Sequence, residues 1–181
     1  MFRKIAALVL CGAVVCVLTG CAFGRKEKEI DPKRSPSRYV DQMSQNIKDY
    51  LMEGDVESLY ELFGEYYGVT VHDVQKLLNF IDGKIVSINN DSIQRNAVKV
   101  EYGIYSLYGY GGHFTISTEN RKEYICHFTG YAAYDDEPKK VGLEELYLRL
   151  PNDSGHTYWG IGEYFNDEGK RLDRKGNVVD W

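Results

Sequence analysis

His127 is the residue best placed for proton transfer. It lies midway along an alternating stretch, Tyr124 to Tyr134. There Ile125, His127, Thr129 and Tyr131 share one face, while Tyr124, Cys126 and Phe128 share the other. A general base needs a tuned pKa and a partner within hydrogen-bond reach, and a mid-strand position is where a pocket wall would hold one. Glu101 and Glu145 are the cross-strand candidates, their register left open. Against this stands the default role of a lone sheet histidine, a hydrogen-bonded packing group. His127 is therefore only a candidate, and no residue is assigned as catalytic.

Other chemistries find less support. His72, His113, His127 and His156 are dispersed, with no His-x-x-x-His or Cys-x-x-Cys spacing for a metal. Tyr108-Gly109-Tyr110-Gly111-Gly112-His113 is glycine-rich but lacks the Gly-Lys-Ser/Thr ending and following helix of a phosphate-binding loop, so it reads as an aromatic hairpin tip. No Gly-x-Ser-x-Gly elbow occurs. The acids of the C-terminal tail do not alternate before a glycine as a calcium loop requires. No cofactor is expected.

The strongest signal is at the N-terminus. Arg3 and Lys4 precede an uncharged run, Ile5 to Leu18, of about 14 residues, short of the roughly 20 a spanning helix needs and suited to a signal peptide. Leu18-Thr19-Gly20-Cys21 follows and resembles the bacterial lipobox. That resemblance implies a diacylglycerol on the Cys21 thiol, cleavage before it, and a chain held at the outer face of the cell membrane. Cys11 and Cys16 leave with the signal and Cys21 is used by the lipid, so Cys126 is left alone and forms no intrachain disulfide. A lone thiol of this kind reads as a small buried hydrophobe before it reads as a nucleophile.

Composition narrows the partners. The chain has 22 basic and 27 acidic residues, and loss of Arg3 and Lys4 takes the net charge from −5 to −7. An acidic domain lacks the basic face that nucleic acid requires. Removing residues 1–20 leaves 161, enough for one domain with a real core. The segment Ala22 to Ser37 is charged and nearly free of apolar residues, a tether reaching at most roughly 55 Å when extended. Its Arg25, Lys26, Lys28, Lys33 and Arg34 outweigh Glu27, Glu29 and Asp31, which suits either anionic head groups or plain solvent.

The positioning elements come next. Ser35-Pro36 can start a helix whose Val40, Met43, Ile47 and Leu51 form one stripe, ended by Gly54. Asp55 can cap a second helix carrying Leu59 and Leu62, closed by Gly64. Thr70-Val71-His72-Asp73 is a capping box for a third, buried through Val74, Leu77, Leu78 and Ile81 and stopped at Asp82-Gly83. From Gly83 the period becomes two. Strands are expected at Lys84–Ile88, ending in the turn Asn89-Asn90-Asp91, and at Val98–Tyr105. Further strands are expected at Tyr124–Tyr134, at Leu143–Leu150, and at Thr157–Phe165 after the turn at Pro151–Gly155. The expected class is α+β, N-terminal helices packed on a curved antiparallel sheet.

Glu53-Gly54-Asp55, Leu59-Tyr60-Glu61-Leu62-Phe63, Phe80-Ile81-Asp82-Gly83-Lys84-Ile85 and Gly160-Ile161 resemble a family of uncharacterised Gram-positive bacterial lipoproteins. That resemblance implies an NTF2-like (cystatin-like) cone over roughly residues 38–165. Residues 1–20 are then signal peptide, 21–37 the lipidated cysteine and tether, and 166–181 a terminal hairpin capped by Trp181. The motifs mark helix ends and strand starts, so they carry no catalytic assignment. The expected function is a non-catalytic binding module for a small ligand in the cone or for a surface protein. Tyr102, Ile104, His127, Tyr131, Tyr147 and Trp159 are the candidate cavity residues. The alternatives are an interaction protein of the toxin-immunity type and a pocket enzyme of the dehydratase or isomerase kind. Oligomeric state is left open.

Overall fold

A computed structural model describes residues 30–151, 158–172 and 176–179. Cys21, the signal run, the tether up to residue 29, the turn after Pro151, His156, Thr157 and Trp181 lie outside the described residues. So do the side chains of Asn90, Asp91 and Ala97.

Helix α1 (Pro36–Glu53) starts on a proline, which fits the first turn because its missing N–H has no partner there anyway. Its stripe Val40, Met43, Ile47 and Leu51 is buried, and Gly54 ends it in a left-handed cap. In α2 (Val56–Tyr60) the Asp55 carboxylate accepts from the Ser58 N–H at 3.0 Å. Helix α3 (Val71–Asn79) opens on the full capping box: Thr70 Oγ1 accepts from the Asp73 N–H, and the Asp73 carboxylate accepts from the Thr70 N–H.

Five antiparallel strands then follow in simple chain order: β1 (Ile85–Glu101), β2 (Ile104–Thr118), β3 (Glu123–Tyr134), β4 (Gly142–Arg149) and β5 (Tyr158–Gly162). One face forms the core. Phe114, Cys126 and Leu148 make a row across β2, β3 and β4 on that face, and Phe128 with Leu146 the next. These residues and the α1 stripe are essentially solvent-free. Each such side chain contributes about 1.5–3 kcal/mol over its exposed state.

The expected α+β division is overturned. The described chain is mainly an antiparallel sheet, its α-helices stand only in the N-terminal part, and the NTF2-like cone is set aside with that class. Two stretches read as breaks are in fact strand. Asn89-Asn90-Asp91 is carried inside β1, with a register shift between Asn90 and Ser92 that absorbs it as a bulge. The glycine run Tyr108–His113 is the middle of β2, not a hairpin tip. Gly112 has no room for a side chain, since a Cβ there would come within 2.4 Å of the Ser92 carbonyl oxygen and 2.9 Å of the Phe128 ring. Conversely, Val98 to Tyr105, read as one strand, contains the β1–β2 turn at Tyr102-Gly103.

Candidate functional site

The outer face of the sheet carries a row of rings. His113, His127 and Tyr147 are cross-strand neighbours on β2, β3 and β4. His127 stacks on Tyr147 with centroids 4.6 Å apart and planes 9° apart, and lies 5.4 Å from the His113 ring. Phe165 extends the row, 5.8 Å from Tyr147. It can do so because Gly160 faces Tyr147 on β5, and a Cβ at that position would come within 2.1 Å of the Phe165 ring.

Arg149 Nε donates to His127 Nε2 at 3.2 Å. Burial first, then the Arg149 and His113 charges, hold the imidazole down to about 4. His127 is therefore neutral at pH 7 and carries its proton on Nδ1. A base this weak, with its lone pair already accepting, is a poor proton acceptor. Neither expected carboxylate partner faces His127: Glu101 stands exposed at the end of β1, and Glu145 faces Thr129 one row away.

The six candidate residues do not converge. Tyr131 borders an acidic group described below, and Tyr147 belongs to the ring row. Trp159 lies opposite Leu148, on the core side of the edge strand. Tyr102 is fully exposed and Ile104 is 43% exposed, both at the outer end of the β1–β2 hairpin.

One group was missed. At the β4 bulge beside Thr129, Glu144 accepts from Thr129 Oγ1 at 3.1 Å and shares a hydrogen bond with Glu163. Two carboxyls can bond in this way only with a proton between them. Burial and that bond push Glu144 up to about 7. Neighbouring Glu145 is also raised, chiefly by burial, against the pull of Arg171. Among the described residues no group of three or more His, Cys, Asp or Glu is arranged to hold a metal ion.

A separate opening lies at the far end of β2. A cleft of about 610 Å³ has Phe80, Tyr124, Leu150 and Pro151 as apolar walls and Asp82, Arg121, Lys122 and Glu123 at its rim. Phe80 meets Tyr124 edge to face at 5.8 Å. The Tyr124 hydroxyl accepts from the Asp82 N–H at 2.8 Å, tying the end of α3 to the sheet. Asp82 also pairs with Lys122 Nζ at 2.5 Å and accepts from Asn120 at 3.0 Å, and these bonds hold its carboxyl below the usual range. Lys122 is thus committed. Arg121 sits in the β2–β3 turn at φ 60 with its side chain at the cleft rim.

Residues 46–152 match the family described as "Domain of unknown function (DUF5104)". The chain belongs to that family. No curated protein matches it. The DUF5104 region contains every residue named around the cleft, Phe80 to Pro151, and stops short of β5. Glu163, Phe165 and Trp159 therefore lie beyond it, and the carboxyl pair is built half inside the DUF5104 region and half outside.

Proposed function

We propose that this DUF5104 chain is a membrane-anchored, extracytoplasmic lipoprotein whose sheet domain is a non-catalytic binding module. The anchoring rests on the lipobox at Leu18–Cys21 and the binding reading on the cleft beside Phe80 and Tyr124. Apolar walls with a few polar groups at the rim are the usual make-up of a small-molecule site. Arg121 is its available cation, since Lys122 is held by Asp82. The fitting ligand is a compact aromatic or aliphatic molecule bearing one anionic group. His127, locked between Tyr147 and Arg149, argues against proton-transfer chemistry on the outer face.

Thermal melts of the mature chain with a panel of aromatic and aliphatic carboxylates test the binding reading. A ligand at a hundredfold its Kd adds about 2.7 kcal/mol. Leu150→Glu, which sets a carboxylate at the cleft, should abolish the shift. A panel without one stabilising member at millimolar concentration would sink the reading. Anchoring is tested by Cys21→Ala, which should release the protein from washed membranes or leave it unprocessed.

A further inference from the structure

The β1–β2 hairpin runs past the rest of the sheet. β3 pairs with β2 only from Leu107 onward, so residues 98–104 project as a two-stranded end. That end is apolar and uncovered: Val98 is 68%, Val100 47%, Tyr102 103% and Ile104 43% exposed. Val100 lies opposite Tyr105 and Ile104 opposite Glu101, so the apolar groups do not share one face. They surround the end of the ribbon. A protein laid on a sheet face would want them together on one side, whereas an apolar medium entered end-on suits this arrangement.

Tyr102 strengthens the point. It holds φ 51, the left-handed region, followed by Gly103 at φ 75. A tight hairpin turn of this kind prefers Asn-Gly, and a bulky residue there is strained. An aromatic ring with a polar tip is the side chain favoured at a membrane–water boundary.

The start of the described chain is fixed to the base of this ribbon. The Tyr105 N–H donates to the Lys33 carbonyl at 3.0 Å, and Lys33 Nζ pairs with Asp135 at 2.5 Å. Tyr102 is three residues from that bond, within roughly 10 Å. Cys21 is a dozen residues upstream of Lys33, so a lipid on it lies at most roughly 40 Å away. The cleft stands at the other end of β2, whose 15 residues span roughly 50 Å.

We propose that the ribbon end formed by Val98, Val100, Tyr102 and Ile104 is a second membrane contact. It rests at head-group depth in the bilayer that holds Cys21, with the Phe80–Arg121 cleft turned away from the membrane. This inference rests on the lipid-anchoring reading. The contact is apolar: Lys33 is paired with Asp135, Arg34 with Asp31, and Lys99 is offset by Glu101. It need not be strong, because the anchor already supplies a millimolar effective concentration.

The test uses the mature chain with a hexahistidine tag in place of Cys21, held on nickel-chelating vesicles of phosphatidylethanolamine and phosphatidylglycerol. Tyr102→Cys carries an environment-sensitive dye, as Cys126 is buried. On vesicles the dye should shift to the blue, be quenched by lipids spin-labelled near the head group, and stay so in 0.5 M salt. Val100→Asp with Ile104→Asp should return it to an aqueous spectrum. The same dye on Arg121→Cys should remain aqueous throughout. An aqueous dye at position 102 on vesicles overturns the proposal. So does a blue shift that appears without vesicles as protein concentration rises, which would mark self-association instead. The anchoring reading fails separately, if the mass of the native mature N-terminal peptide shows no diacylglycerol on Cys21.

Discussion

The imidazole of His127 lies flat on the phenol ring of Tyr147, 9° from parallel, and Arg149 donates to its remaining lone pair. Charging this histidine would place a cation against the Arg149 guanidinium and strip it of an accepted bond. The same residue that sequence singles out for catalysis is thereby kept neutral and structural.

A pH prediction follows. His127 has a folded pKa near 4 against an ordinary 6.5, so its contribution is present above pH 6.5 and is lost as pH falls towards 4. Glu144 has the opposite sign. Its folded pKa near 7 lies above the ordinary 4.5, so its contribution is present below 4.5 and is lost as pH rises to 7. Between pH 4.5 and 6.5 the two slopes oppose each other. Because the two opposing slopes are of similar size, Glu144→Gln should leave a stability that rises with pH across this window and His127→Gln one that falls, each by on the order of 1–2 kcal/mol once solvent screening of these half-buried groups is allowed for. Urea titrations at four pH values check this, and parallel profiles for all three proteins would contradict it.

The Phe165 ring occupies the space of the missing side chain at Gly160. Gly160→Ala should expel the ring and uncover Tyr147, at about 1–3 kcal/mol, as for other overpacked sites. Phe165→Ala should remove most of that penalty from the double variant, because the clash has then lost its partner. Additive losses in the double-mutant cycle would show that Phe165 does not cover Gly160.

Local chemistry made the helices legible. Thr70 with Asp73 and Asp55 with Ser58 announce their helix starts within four residues, and the α1 stripe names its own buried face. Strand β3 was readable because buried and half-buried residues alternate along most of it, and β4 because Leu146 and Leu148 alternate with Tyr147 and Arg149. The turn at Tyr102-Gly103 was not, since tyrosine at a left-handed position imitates the next apolar residue of a strand. Nor was the Glu144–Glu163 pair. It depends on a bulge between Thr129 and Gly130 and on the β4–β5 register, neither of which leaves a mark in the spacing of two glutamates. The strand share was understated, and the class misjudged with it, because Asn89–Asp91 and the Tyr108–His113 glycines looked like breaks in what are two long strands.

Cys126 is solvent-free between Phe114 and Leu148, and burial drives its thiol well above the ordinary range. Thiolate is the reactive form. Labelling of the folded mature chain at neutral pH should therefore be limited by opening of the sheet and should accelerate with urea in step with unfolding. Fast labelling without denaturant would return the nucleophile reading to consideration.

Arg121 offers the sharpest separation of stability from binding. It occupies the left-handed position of the β2–β3 turn, with its N–H donating to Thr118 O at 2.9 Å and Thr118 N–H donating to Lys122 O at 3.0 Å. A left-handed conformation costs an L-residue about 1–2 kcal/mol, and glycine escapes this at an entropic cost of about 0.5–1. Arg121→Gly should thus stabilise the free protein by about 0.5–1 kcal/mol, a rise of roughly 2 °C in Tm for a chain of this size. Arg121→Asn should do part of the same, since asparagine tolerates the region. If the guanidinium holds the anionic group of a ligand in the cleft, both variants should also lose most of the ligand-induced shift. A more stable protein that binds less is what strain kept for function produces. Retained ligand protection in Arg121→Gly would remove Arg121 from the site, and an unchanged Tm without ligand would show that the turn carries no strain to release.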